Sequence, residues 1–284
     1  MTEIQTTAII PGFNEQRTIG PVVRAALRAE SVDGIVVVDD GSRDRTVVEA
    51  WRAIERENSP KPFEVVSHSF NAGKTEAVRT GVDVAYEELG LPRIGALVFI
   101  DADLSPVWSR LTPENMKLTS RLLGHTGLLK EVGVTGTEDA FIDCLARRID
   151  QITAPILERG IPMTIGMPQR NWFADRTRTL LNWGALGGNR GVRADFFDQL
   201  IAESQERNIG ISGWELEAAL NTFARKRRDE YGVKLNRGIE KFLWDDIVNV
   251  GSRVKTGSFT GGVRRMAQVH GRAVRGLLKY GYQF

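Results

Sequence analysis

Residues 97–106 read LVFIDADLSP. Four apolar residues, Leu97 to Ile100, run into two aspartates, Asp101 and Asp103, separated by one alanine. Buried strands ordinarily close on Gly, Asn or Ser turn chemistry, so a doubled carboxylate at this point asks for a partner. Upstream, Thr6–Ile10, Gly34–Asp39 and Phe63–Ser67 are further short β-rich runs, and Ala96–Ile100 is the fourth. Helical patterns lie between them. Thr18–Ala29 has Ile19, Val22, Val23, Ala26 and Leu27; Asp44–Arg56 has Val47, Val48, Trp51 and Ile54; Thr75–Leu89 has Val78, Val82, Ala85 and Leu89. Spacings of three and four are the helical period. Strand–helix alternation predicts an α/β fold, a mostly parallel sheet with helices on both faces. Right-handed crossovers place the strands' C-terminal ends on one edge, where such sheets bind ligands.

All four predicted strand ends are loaded with polar groups: PGFNE at 11–15, DDGSRD at 39–44, SFNAGK at 69–74 and DAD at 101–103. One such loop is a capped turn, and Asp44 reads as a helix N-cap. Four together point to a common ligand site. Two close carboxylates repel unless a cation neutralises them, and a hard oxygen set suits Mg²⁺ or Mn²⁺. Zinc is disfavoured because no Cys or His lies nearby. Asn71-Ala72-Gly73-Lys74 before a helix offers backbone N–H groups and a point charge to phosphate. The Walker A spacing is absent, and the first strand does not lead into GxGxxG. A metal-held nucleoside diphosphate is the simplest ligand.

Beyond Leu104 the pattern weakens. Gly124, Gly127, Gly133 and Gly136 fall in a polar stretch that reads as an irregular insertion. Residues 141–160 read as helix, Ile161–Met167 as strand, 187–193 (GGNRGVR) as a tight loop, and Trp214–Arg227 as helix. No internal repeat is present. With 284 residues, 42% hydrophobic and 26% charged, a sizeable core needs no staples. A single cysteine, Cys144, excludes an internal disulfide and fits a reducing compartment. MTEIQTTAII lacks a signal-peptide pattern, and no run approaches the ~18 apolar residues of a membrane span. The expected location is the cytoplasm, with peripheral membrane attachment as a second option. The net charge of +2 hides an asymmetry: after Asp246 seven Lys and Arg stand with no acid, leaving −5 on the remainder. A basic tail implies an anionic partner. Few aromatics interleave there and no nucleic-acid motif is present, which disfavours nucleic acid.

The motifs resemble those of GT-A-fold glycosyltransferases of the family-two type. P-G-F-N-E resembles that group's P-x-x-N-E, VVVDDGSRDRT its second-strand signature, N-A-G-K its third loop, and D-A-D its D-x-D. A looser likeness reaches the glucosyl-3-phosphoglycerate synthases, through Gly73–Ala77, Leu186–Arg193 and Gly213–Glu215. The resemblance implies that Pro11, Phe13 and Glu15 hold the nucleoside and that Asp40 contacts the base. Asn71 and Ala102 join the donor set, and Lys74 meets the diphosphate or leaving group. Asp101 would touch ribose or metal-bound water, and Asp103 would ligate the metal. Gly187, Gly188, Asn189, Arg193 and Trp214 would line the sugar and acceptor pocket. Glu215 is the first candidate base, with Glu217 second. The synthases' late metal-binding histidine has no counterpart near Arg237–Lys241; His270 is the remaining late histidine.

The implied organisation is a catalytic domain at 1–225 and a basic segment at 226–284 packing on or over the site. The implied activity is metal-dependent hexose transfer from a nucleotide-diphosphate sugar, UDP- rather than GDP-, to a hydroxyl or phosphate acceptor. The acceptor would be a small phosphorylated metabolite or a polyprenyl phosphate, and a homodimer is a further partner expectation. Inverting and retaining outcomes stay open. The alternatives are a sugar-phosphate nucleotidyltransferase, whose Gly-rich first loop is missing, and a non-catalytic nucleotide-sugar-binding protein.

Overall fold

The structure, a computed structural model, describes residues 5–106, 137–169, 188–213, 215–227 and 239–249. Its elements are β1 (Thr6–Gly12), α1 (Ile19–Arg28), β2 (Gly34–Asp39), α2 (Thr46–Glu57), β3 (Phe63–Ser67), α3 (Lys74–Glu87), β4 (Ala96–Phe99) and β5 (Leu104–Pro106). They continue with α4 (Glu138–Arg159), β6 (Met163–Gln169), β7 (Arg190–Arg193), α5 (Ala194–Glu206), α6 (Leu216–Lys226) and β8 (Ile239–Asn249).

Period-two alternation divides each central strand between two cores. Ile9, Val36, Val38, Leu97 and Phe99 face one side, against α3, α5 and α6; Ala8, Ile10, Ile35, Val37, Val98 and Ile100 face the other, against α1, α2 and α4. The eight strands form one sheet in the order β3-β2-β1-β4-β7-β6-β8-β5. β1 pairs in parallel with β2 and β4, β2 with β3, and β6 with β8. β7 runs antiparallel to β4 and β6, and β5 antiparallel to β8. The expected mostly parallel sheet with helices on both faces is therefore present.

Two local readings change. GGNRGVR is not simply a tight loop: Arg190–Arg193 is β7, and pairing on both sides overrides the poor strand propensity of its glycine. Leu104–Pro106, where the sequence pattern begins to weaken, is edge strand β5, a position that tolerates proline. Beyond residue 225 the chain adds β8 to the sheet, between β6 and β5. Gly124, Gly127, Gly133 and Gly136 lie outside the described residues.

Packing fixes where α3 begins. At Gly81 an added Cβ would stand 2.5 Å from Ile9 Cγ2, so the helix lies close on β1 and its first turn reaches the sheet's C-terminal edge. On the opposite face the buried Arg24 of α1 donates to Glu57 of α2 (2.8 Å) and to Glu138 (2.9 Å) and Asp139 (2.7 Å) at the start of α4. A buried guanidinium demands such partners, and these join three helices.

Candidate active site

The four loops at the sheet edge are tied to one another. The first loop meets the second where Asn14 N–H donates to Ser42 Oγ (2.8 Å) and Glu15 N–H to Thr46 Oγ1 (2.8 Å), while Arg43 N–H returns a bond to Asn14 Oδ1 (2.9 Å). Asn14 holds φ +56, a left-handed conformation that asparagine tolerates. Asp44 accepts from Thr46 N–H at 3.0 Å. This is a cap one residue ahead of the N-cap position, which Arg45 occupies. The second loop meets the third at Gly41, φ +73, where a Cβ would stand 2.6 Å from the carbonyl carbon of Phe70.

Asp40 binds the third loop. Its buried carboxylate accepts from Ala72 N–H (2.8 Å) and Gly73 N–H (2.9 Å), and Oδ1 stands 2.9 Å from His68 Nδ1. His68 Nε2 lies 3.0 Å from Thr80 Oγ1. The residue expected at the base is thus used to shape the phosphate-type loop.

Gly73, at φ +97, turns the chain into α3. Thr75 donates from N–H (3.1 Å) and Oγ1 (2.9 Å) to the carbonyl of Gly213, pinning the approach to α6 onto the start of α3. That docking sets Glu217 beside Lys74. Lys74 Nζ donates to Asp101 Oδ1 at 2.6 Å and stands 2.9 Å from Glu217 Oε1. Burial lowers the pKa of the ammonium, but the two carboxylates outweigh it and hold the pKa above the ordinary lysine value.

Gly188 and Asn189 close over this pair. A Cβ on Gly188 would stand 2.1 Å from both Asp101 Oδ1 and Lys74 Nζ, so a larger residue here displaces the pair. Asn189, fully buried, accepts Asp101 N–H on Oδ1 (2.9 Å). Beneath them Arg190, 1% exposed, donates from Nη1 to Asn221 Oδ1 (2.8 Å) on α6. Burial pushes its pKa down to about 10, although Glu217 and Asp101 support the charge.

Pro11 is the penultimate residue of β1 and Phe13 is exposed just beyond the strand; Glu15 sits in the first loop and accepts Thr18 Oγ1 on Oε2 at 3.2 Å. Asn71 is exposed on the third loop. Ala102 is buried and Asp103 half-buried. Glu215 is half-buried at the N-cap of α6 and accepts Ser212 N–H at 3.3 Å. Arg193 is set apart from this group. It pairs with Ala96 at the other end of β4 and binds Asp195 and the Gly160 carbonyl. Gly187, Trp214 and His270, and the tail beyond residue 249, lie outside the described residues.

Arg190 and Asn221 were not singled out in the sequence. The available signal was polarity inside burial: Leu216–Ala224 is buried all round, and Glu217 and Asn221 are its i, i+4 polar pair.

A divalent ion fits this edge by donor chemistry. Asp101 and Asp103 offer hard oxygens, and Lys74 is already paired with Asp101 and Glu217. Among the described residues no third His, Cys, Asp or Glu joins the pair, so diphosphate oxygens and water would complete such a shell.

Residues 7–113 match the profile of Glycosyl transferase family 2. The chain superimposes on crystal structures of glucosyl-3-phosphoglycerate synthase from Mycobacterium tuberculosis. One is in complex with Mn²⁺, UDP-glucose and phosphoglyceric acid, another with Mg²⁺ and UDP. Each has a TM-score of 0.58, 16% identity, and covers 98% of this chain and 80% of the synthase. This likeness shows the fold to be of the GT-A type. A curated relative, dodecaprenyl-phosphate galacturonate synthase of Rhizobium johnstonii, is 30% identical over 119 residues, 40% of this chain and 35% of that protein's length. The match therefore spans about a third of that relative. Among the described residues no helix is long and apolar enough to cross a membrane.

Proposed function

We propose that this chain is a glycosyltransferase that moves a hexose from a UDP-sugar to a phosphate-bearing acceptor, with Mg²⁺ or Mn²⁺. The observation that carries this reading is the Lys74–Asp101 pair under Gly188, at the edge where four interlocked loops meet. A bound metal would neutralise diphosphate oxygens, with Asp103 and Asp101 as its protein ligands. Lys74 is a fixed ammonium in a largely buried setting, where its charge stabilises a leaving diphosphate more than it would in water. Phe13 and Glu15 on the first loop would flank the nucleoside. Of the two candidate bases, Glu217 is committed to Lys74, which favours Glu215 as the carboxylate that orients or deprotonates the acceptor. The acceptor class is supported by two relatives, one holding phosphoglyceric acid and one named for dodecaprenyl phosphate. The seven basic residues after Asp246 would attract either.

Nucleotide release from UDP- and GDP-sugars with Mn²⁺, with and without 3-phosphoglycerate or a prenyl phosphate, tests this directly. Acceptor-stimulated, metal-dependent release is expected from a UDP-sugar. In Asp103→Ala both turnover and Mn²⁺-supported donor binding should fall. No metal-dependent binding or release with any donor defeats the proposal, and unchanged activity in Asp103→Ala defeats its metal.

A further inference from the structure

Lys74 is enclosed on three sides. Asp101 Oδ1 lies 2.6 Å from its Nζ, Glu217 Oε1 2.9 Å away, and the Gly188 backbone leaves no room for a methyl group above it. Asp101 belongs to the donor set and Gly188 to the sugar and acceptor pocket, whereas Glu217 is only the second candidate base. It sits on α6, only 7% exposed, on a helix brought here by the Thr75–Gly213 contacts. On the next turn of the same helix Asn221 holds Arg190, so a second buried cation stands within the field of Glu217. A buried carboxylate is costly unless paired, and here it is paired with Lys74.

We infer that Glu217 is a positioning residue: it fixes the Lys74 ammonium over Asp101 and offsets its charge, so that diphosphate capture leans on a metal rather than on Lys74 alone. The inference rests on the reading of this edge as a nucleoside-diphosphate site. A solely structural Glu217 would stabilise the fold without governing Lys74 or the metal requirement of binding.

The test compares wild type with Glu217→Gln and Glu217→Asp. Lysine acetylation by an amine-reactive ester, followed by mass spectrometry, reports Lys74 without any ligand. Acetylation of Lys74 should be at least ~3-fold faster in Glu217→Gln than in wild type, because one of two close counter-charges is gone. Glu217→Asp should restore most of the protection. Equal labelling in wild type and a folded Glu217→Gln overturns the positioning role. Calorimetric UDP binding in EDTA reports the charge balance. Removing one buried negative charge should tighten metal-free UDP binding about tenfold, and adding Lys74→Met to Glu217→Gln should abolish the gain. Unchanged metal-free affinity in Glu217→Gln overturns the charge-offsetting role. If wild type binds no UDP with or without Mn²⁺, the functional reading falls, while the labelling result still decides what Glu217 does. Should Glu217→Gln fail to fold, the neutral double variant Lys74→Met/Glu217→Gln decides. Its unfolding midpoint should exceed that of Lys74→Met alone, and a further fall in midpoint on adding Glu217→Gln overturns the inference.

Discussion

Replacing Gly188 by alanine should separate catalysis from stability. The new Cβ would stand 2.1 Å from Lys74 Nζ and 2.1 Å from Asp101 Oδ1, against ordinary contact from 3.4 Å, so each must retreat by more than 1 Å. Both obstructing atoms are ends of flexible side chains rather than backbone, so the fold can yield by rotating them. Overpacking of this kind costs about 1–3 kcal/mol. The site cannot yield in the same way, because Lys74 is held between Asp101 and Glu217. A displacement of about 1 Å at a catalytic group is worth roughly 10²-fold in rate, or about 2.7 kcal/mol of transition-state stabilisation. The expected result is a folded protein with a modestly lower unfolding midpoint and kcat/KM reduced about a hundredfold. The measurements are thermal unfolding and nucleotide release at saturating Mn²⁺, using the donor that wild type turns over best. If folded Gly188→Ala keeps kcat/KM within threefold of wild type, the Lys74–Asp101 pair is not where the chemistry is assisted.

Gly81→Ala should show the opposite split. Its Cβ would meet Ile9 Cγ2 at 2.5 Å inside the sheet core; the overpacking cost of about 1–3 kcal/mol, less about 1 kcal/mol of helix propensity, should lower the denaturation midpoint while kcat/KM per folded molecule stays at the wild-type value. Asp40→Ala removes the acceptor for Ala72, Gly73 and His68, at a cost of roughly 2–3 kcal/mol, and hydrogen exchange should accelerate at residues 68–74 before it does elsewhere. Acid should loosen the α1–α2–α4 clamp. Burial raises the pKa of Glu57, but its hydrogen bonds to Arg28 and Arg24 outweigh that and hold it below the ordinary 4.5. The folded carboxyl binds its proton less readily than the unfolded one, so this stability is complete above about pH 4.5 and is lost as pH falls through the depressed value. Unfolding midpoints from pH 6 to 3 should fall less steeply in Glu57→Gln than in wild type, and parallel curves would refute the assignment.

The parallel half of the fold was legible because it is built from local signals. Ile35 and Val37 alternate with Val36 and Val38, so the two cores can be read residue by residue from β2 alone. The helices between the strands carry their own periodicity and end near the expected residues. The antiparallel half was not legible in the same way. β7 is four residues containing a glycine, and it becomes a strand because β4 and β6 each present an edge that it fills. β5 exists only because β8, which follows it by well over a hundred residues, returns beside it. Neither event leaves a mark within the strand's own sequence.

The site divides along the same line, and the division explains which roles changed. PGFNE, DDGSRD, NAGK and DAD announced themselves because each loop carries its polar groups together. Their roles depend on what the other loops do. Asp40 looks like a ligand contact in isolation, yet once the third loop folds over it, its oxygens are occupied by Ala72, Gly73 and His68. Arg193 looks like a cation beside Gly187 and Gly188, yet strand geometry carries it about 10 Å away, three residues along β7 from Arg190. Glu217 and Glu215 are indistinguishable as neighbouring acids on one helical turn. Their separation into a carboxylate bound to Lys74 and a carboxylate at the helix start follows from the docking of Thr75 on Gly213. Charge pairing is the feature least visible in the sequence, because Lys74, Asp101 and Glu217 lie far apart along the chain and meet only in the fold.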